Sequence, residues 1–195
     1  MLRGRRRADH RLSLRARGEV GHGQRAEKRM IQAGDRIPSV PVKFIDSEGV
    51  RDATSDEVLG QGRVVFFAVP GAFTPTCDTA HLPSFVSNTG KIRGHGVDSI
   101  VCGAVNDHHV LKAWAERSEA LGKIGFVADA RASLADAMGL AKESSDLGKR
   151  FARFAMILEN GIVQEVFVQD VAGVTVSGAP AVLLALEASK SSVEA

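Results

Sequence analysis

The chain has 195 residues, enough for one domain with its own hydrophobic core; 44% are hydrophobic, and no apolar run reaches the length of a membrane-spanning helix. Its net charge of +2 hides an asymmetry, because residues 1–29 hold ten Lys or Arg against three Asp or Glu, whereas residues 30–195 hold fifteen basic and twenty acidic side chains. The basic isoelectric point near 8.7 therefore reports the first segment, and neither nucleic acid nor a membrane is expected as a partner.

Residues 1–29 carry only scattered Leu and Val and read as a disordered basic N-terminal tail. It can be an Arg-rich, acid-poor organelle-targeting segment, a basic arm for anionic surfaces, or a solvated tail left by an over-long translation start, since Met30 opens the domain-like text. The solvated-tail reading puts the protein in the cytoplasm, and the targeting reading puts it in an organelle matrix. No continuous apolar segment follows the arginines, which excludes a secretory signal as an expectation.

Residues 30–195 read as one domain. Pro38, Pro41 and the segment Asp46 to Gly49 punctuate a hairpin-like opening. Val64 to Val69 is a continuous apolar run, as a central strand covered on both faces requires, and Ser99 to Val105 is a second. Asp107 is placed to cap a helix running to about Leu121, with Val110, Leu111 and Trp114 on one face. A short strand over Ile124 to Val127 and a short helix over Ser133 to Met138 follow. Asn160-Gly161 between two strand-like runs, 153–159 and 162–168, is a strong hairpin signal. Pro180 then opens a last helix carrying Val182, Leu183 and Leu186. This order predicts an α/β domain with a mixed central sheet flanked by helices, as in a thioredoxin-like fold.

There are two cysteines, Cys77 and Cys102, and no CxxC pair, so no disulfide framework is implied. Two buried, inert thiols would be the plain interpretation. The text around Cys77 argues against it. Pro70 to Pro83 reads PGAFTPTCDTAHLP and follows the C-terminal end of the Val64–Val69 strand, where open α/β sheets carry reactive groups. Pro75 suits the first position of a helix, because its missing N–H has no partner to lose there. Cys77 then falls in the first turn, whose free N–H groups and dipole favour a thiolate.

Peroxide cleavage needs more than a thiolate. Sulfur attacks one oxygen while the other leaves with negative charge, so both must be held in line and the leaving one stabilised. Thr74, three residues before the cysteine, offers a hydroxyl that can donate to the peroxide. A guanidinium can hold the thiolate and the developing charge together. A proline packed over the sulfur can exclude water and protect the sulfenic acid.

The spacing Pro70-x-x-x-Thr74-x-x-Cys77 resembles the peroxiredoxin active-site motif. The wider text, PGAFTPTC with His81, Leu82, Pro83 and Phe85, resembles the type V peroxiredoxins, also called type II or peroxisomal-membrane-associated. The similarity continues through Val105 to Asp107, the Trp114 helix, Ala128-Asp129, Arg153 to Met156 and Asn160-Gly161, and covers roughly residues 31 to 186. It implies a thiol-specific peroxidase that reduces hydrogen peroxide and organic hydroperoxides through a Cys77 sulfenic acid. It implies no cofactor and no metal, a thiol reductant (glutathione with glutaredoxin, or thioredoxin) and a homodimer. Cys77 matches the peroxidatic cysteine, Thr74 the peroxide-binding hydroxyl and Pro70 the shielding proline. Arg153, directly before the Phe-Ala-Met strand, matches the family arginine, with Arg150 as the rival assignment.

His81, four residues after Cys77, can polarise the thiolate, begin a metal site with it, or bond backbone and position the loop; the last is expected, because two ligands make a poor zinc site. Phe73 and Phe154 are candidates for the substrate pocket, with core packing as the default expectation. Animal type V enzymes carry a resolving cysteine in a segment resembling Gly-x-Thr-Cys-Ser; here Gly173 to Ser177 reads GVTVS, and Val176 cannot form a disulfide. Cys102 remains a possible resolving residue at a spacing found in plant and bacterial type II relatives, against a plain role as buried strand packing. One-cysteine chemistry with an external thiol is expected. The rival functions are a thioredoxin-like thiol–disulfide exchanger, which the missing CxxC disfavours, and a non-catalytic chaperone domain on the same fold.

Overall fold

The computed structural model describes residues 29–191; the expected tail, apart from Arg29, lies outside the described residues. Strands β1 (Pro41–Asp46) and β2 (Gly49–Thr54) form the opening hairpin, and helix α1 (Ser55–Leu59) follows. The Glu57 carboxylate accepts from the Thr54 N–H at 2.8 Å and closes the first turn of α1. Then come β3 (Arg63–Val69), helix α2 (Leu82–Gly94), β4 (Ser99–Ala104), helix α3 (His108–Arg117) and β5 (Gly125–Ala128). Helix α4 (Ser133–Ala137), the short strands β6 (Ala141–Ser144) and β7 (Gly148–Phe151), the hairpin β8 (Phe154–Glu159) and β9 (Ile162–Val168), and helix α5 (Ala179–Ser191) complete the domain.

The strands form one seven-stranded sheet in the order β2-β1-β5-β4-β3-β8-β9, with β6 and β7 apart as a two-stranded ribbon. The segments β3, β4 and β5 run parallel, and β1, β2, β8 and β9 close the two edges antiparallel. Central β3 explains why Val64 to Val69 reads as an unbroken apolar run, because every one of its side chains is buried against one layer or the other. Val65, Phe67 and Val69 join Leu82, Phe85, Leu111, Trp114 and Val182 in the layer under α2, α3 and α5. Val64, Phe66 and Ala68 join Leu59, Leu134, Met138 and Phe154 in the layer under α1 and α4. Helices thus cover both faces, as the thioredoxin-like reading requires.

Two details differ from the sequence-based expectation. Helix α3 begins at its expected cap, with the Asp107 carboxylate accepting from the N–H groups of His109 and Val110, but it ends at Arg117 rather than near Leu121. Glu119 has φ +52 and Gly122 φ +77, and these left-handed residues turn the chain out of the helix. The β6–β7 ribbon and α1 were not anticipated, being too short for a periodic signal. The Asn160-Gly161 turn is as expected, with φ of +48 and +77 joining β8 to β9.

Gly103, beside Cys102 in β4, is required by packing. A Cβ there would lie 2.9 Å from two ring atoms of Phe66, which is fully buried and edge-on to Phe154. Gly103→Ala is expected to destabilise the fold by about 1–3 kcal/mol in urea denaturation, with an unchanged m-value.

Candidate active site

The site begins where β3 ends. The chain bends at Pro70, and the Asn106 side-chain carbonyl, just beyond β4, accepts from the Ala72 N–H at 3.0 Å. That clamp holds the loop while Phe73 takes φ +61, a left-handed conformation unusual for a bulky residue. Helix starts at Pro75, and Cys77 is its third residue. From Cys77 to His81 the helix widens into a π-turn, in which the Leu82 N–H donates to the Cys77 carbonyl. Pro83 stands immediately beyond. It has no N–H for the Thr79 carbonyl four residues back, and its ring would crowd that carbonyl, so a regular α-turn is disfavoured here.

The widened turn aims Cys77 and His81 at one partner. Arg153, in the bend between β7 and β8, donates from Nη2 to Cys77 Sγ at 3.4 Å and from Nη1 to His81 Nδ1 at 3.1 Å. His81 Nε2 lies 2.8 Å from the Ser177 carbonyl, which can only accept. The imidazole proton therefore sits on Nε2, and Nδ1 is free to receive the guanidinium. His81 is fully buried beside the stacked pair Phe67 and Phe85. Burial pushes its pKa down to about 4, the nearby Arg153 charge adding to that and the Ser177 contact opposing it.

Thr74 Oγ1 donates to the Gly71 carbonyl at 2.8 Å, so its proton is occupied and its lone pairs are what it offers. Pro70, Thr76 and Arg153 line one end of a cleft of about 580 Å³ that continues along Lys142, Arg150, Phe151 and Gln169. Cys77 lies buried behind this lining. Arg150, the rival to Arg153, donates to the backbone carbonyls of Leu147 and Val105 and not to the sulfur.

Neither phenylalanine lines the cleft, and Phe154 takes the core position that was the default expectation. Phe154 follows Arg153 in sequence, but alternation along β8 turns its side chain to the opposite face of the sheet, where it is fully buried against Phe66 and Phe151. It does not line the cleft. Phe73 is 44% exposed, lies under the Arg117 guanidinium and near Trp114, and stands outside the cleft. Cys102 is fully buried at the centre of β4, opposite Phe67 and Phe126 on its neighbouring strands. Burial pushes its thiol well above the ordinary range, and the Cys77 sulfur adds to that. Both cysteines are unpaired thiols.

Several residues at the site escaped the sequence reading. Asp78 accepts from Trp114 Nε1 at 2.7 Å and pairs with both terminal nitrogens of Arg117, tying the π-turn to α3. Ser177 and the loop before it sit nearly a hundred positions from His81, and no local spacing reports that contact. Among the described residues no cluster of His, Cys, Asp and Glu could hold a metal ion.

Residues 32–183 match the model of the redoxin family. Peroxiredoxin-2D of Arabidopsis thaliana is 36% identical over 159 residues, covering 80% of this chain and 98% of the relative. Reduced Prx3 of Vibrio vulnificus in complex with hydrogen peroxide superposes with a TM-score of 0.76 at 38% identity, covering 80% of this chain and 99% of the other. Peroxiredoxin 5 of Alvinella pompejana gives 0.71 at 28% identity, covering 81% and 99%. The chain belongs to the redoxin family and, within it, to the peroxiredoxins. It is a thiol-dependent peroxidase with an antioxidant function, acting on peroxides with a thiol as reductant.

The neutral state of His81 has a consequence for stability. The unfolded chain takes up a proton on this histidine near the ordinary value of 6.5, whereas the folded chain waits until about 4. Stability contributed by His81 is therefore full above pH 6.5 and lost as pH falls toward 4, by about 3 kcal/mol in all. Urea denaturation at pH 7 and pH 4.5 should give a larger loss for the wild type than for His81→Gln, and the difference between the proteins cancels the carboxylates common to both. Equal losses would contradict the buried neutral state.

Proposed function

We propose that Cys77 is the peroxidatic cysteine and that Arg153, Thr74 and Pro70 complete its site. The observation that carries this reading is the Arg153 guanidinium, 3.4 Å from Cys77 Sγ through one terminal nitrogen and held through the other by neutral His81. The Cys77 thiolate attacks the terminal oxygen of the hydroperoxide. The S–O bond forms as the O–O bond breaks, and the alkoxide (hydroxide, for hydrogen peroxide) leaves and takes a proton. The cysteine is oxidised to sulfenic acid and the peroxide reduced to alcohol or water. Arg153 stabilises both the thiolate and the charge that develops on the leaving oxygen. Thr74, whose own proton is turned to Gly71, receives the hydroperoxide O–H through a lone pair. This reverses the donor role expected from sequence. Pro70, at the mouth of the cleft, limits water at the sulfur.

The sulfenic acid is recycled by an external thiol. The first thiol forms a mixed disulfide with Cys77 and releases water; a second reduces it and leaves as the disulfide. Two features support this over resolution by a second cysteine of the same chain. The Cys102 thiol is buried mid-strand with its thiolate suppressed, and Val176 stands where a resolving cysteine would be. Glutathione with glutaredoxin is the preferred reductant, because the cleft beside Cys77 has the volume of a small-molecule site and is bordered by Lys142, Arg150 and Arg153 together with Glu143 and Asp170, which suits a molecule carrying both carboxylates and an ammonium; thioredoxin is the alternative. A homodimer is retained as an expectation, checked by light scattering. The cytoplasmic and organelle-matrix readings depend on residues 1–28. A rice relative, peroxiredoxin-2E-2, is chloroplastic by name, which supports the second, and a reporter fused behind residues 1–29 separates them.

Cys77→Ser is expected to abolish peroxide turnover while the domain stays folded, and retained activity would overturn the mechanism. Arg153→Gln should slow peroxide attack by about two to three orders of magnitude, with Arg150→Gln doing far less. A reversal of the two would reassign the arginine.

For the second cysteine, Cys102→Ser should keep roughly half or more of the turnover supported by glutathione and glutaredoxin. Intact-mass spectrometry after one equivalent of peroxide should find sulfenic acid or a glutathione adduct. A loss of two protons that vanishes in Cys102→Ser would mean an intramolecular disulfide.

A further inference from the structure

Gln169 stands directly after β9, is 9% exposed, and uses its whole amide on the loop that follows. Its Oε1 accepts from the Thr175 N–H at 3.0 Å, the Ser177 hydroxyl at 3.1 Å and the Ser177 N–H at 3.4 Å. Its Nε2 donates to Thr175 Oγ1 at 2.8 Å and to the Val171 carbonyl at 3.1 Å. Its own backbone N–H donates to the Arg153 carbonyl at 2.8 Å. One residue thus holds the Arg153 backbone directly and the Ser177 peptide through the loop. Between these points the loop has no regular structure, and Val171 and Val176 are 61% and 44% exposed. Exposed side chains do little to fix the middle of the loop, so the amide of Gln169 does, while the Ala179 N–H, donating to Ser84 Oγ at 2.9 Å, holds its far end.

The Ser177 carbonyl is what His81 bonds through Nε2, and His81 Nδ1 is what receives Arg153. A shift of that carbonyl turns the imidazole, and a turned imidazole releases one arm of the guanidinium. We propose that Gln169 is a positioning residue for peroxide reduction: it fixes the Ser177 carbonyl, and through His81 it aims Arg153 at Cys77. The chain runs Gln169, Ser177, His81, Arg153, Cys77. It rests on the reading of Arg153 as the group that activates the cysteine.

The sole tryptophan provides the readout, because Trp114 Nε1 bonds Asp78, the residue next to Cys77. Stopped-flow fluorescence of the reduced enzyme mixed with hydrogen peroxide follows Cys77 oxidation apart from its later reduction. Gln169→Leu should slow this step roughly tenfold to a hundredfold, as small misplacements of a catalytic group do, with the thiol-dependent half-reaction unchanged. Gln169→Glu, which keeps the acceptor for Thr175 and Ser177 but loses the donor to the Val171 carbonyl, should restore part of the rate. In a His81→Leu background the Gln169→Leu change should add no more than about twofold, because the link it acts through is already cut.

An equal factor in both backgrounds, or a full rate for Gln169→Leu, overturns the proposal. Should Gln169→Leu not fold, Ser177→Ala carries the same cycle: it removes only the hydroxyl contact to Gln169 and keeps the carbonyl. It should slow oxidation by about threefold or more in the wild-type background alone, and a full rate there is equally fatal. Arg153→Gln separates the two levels. A slow Arg153→Gln beside a fast Gln169→Leu overturns this inference only, whereas a full rate for Arg153→Gln overturns the reading beneath it.

Discussion

The site depends on holding a guanidinium beside a buried sulfur without neutralising it. A carboxylate would hold Arg153 more strongly, but it would also draw off the charge that a thiolate needs. Among the described residues no carboxylate pairs with Arg153; its side-chain partners are Cys77 Sγ and the imidazole of His81. A neutral acceptor gives direction without compensation. That requires His81 to stay unprotonated, and burial beside Phe67 and Phe85 ensures it. The same arrangement makes the Ser177 carbonyl necessary, since a backbone oxygen decides which imidazole nitrogen carries the proton. An order of demands follows, from sulfur to guanidinium to imidazole to a peptide group in a loop.

The fold brings these groups together from separate places. Cys77 and His81 come from the turn after β3, Arg153 from the bend before β8, and Ser177 from the loop before α5. Strands β3 and β8 are hydrogen-bonded neighbours, with Ala68 opposite Phe154. Residues just past the end of one strand and just before the start of the other therefore meet at one edge. Asp78, held by Trp114 and Arg117, fixes the turn from the solvent side, and Asn106 fixes the loop before it.

What was legible in the sequence was what is local. The motif around Cys77, the apolar runs of β3 and β4, the Asp107 cap and the Asn160-Gly161 turn each declare themselves within a few residues. Arg153 was legible through its place before the Phe-Ala-Met strand. Phe154 packs in the core, the default expectation, for a reason the sequence contains: adjacent residues in a strand face opposite ways, so if Arg153 borders the site, Phe154 turns from it and Ala155 shares the face with Cys77. The end of α3 is not legible in the sequence, because a left-handed Glu119 has no compositional signature. Thr54 and Glu57 carry the capping signal of α1, but a helix of five residues adds no periodic pattern to accompany it. Gln169 and Ser177 lay beyond reach, since their partners are distant in sequence and polar contacts across a fold leave no periodicity.

The π-turn between Cys77 and His81 is equivalent to one residue inserted into an ordinary helix. Each residue of an α-helix advances the direction of its side chains by about 100°. Shortening the turn by one, for example by removing Thr79, would let the helix run regularly into α2. The extra residue is taken up within one turn, so the helix on either side keeps its phase, and the change is confined to the turn that carries Cys77 and His81. The spacing of the active site is thus written as the local widening of one helical turn. A single deletion would act on that turn alone, leaving every residue of the motif and nearly all of the core in place.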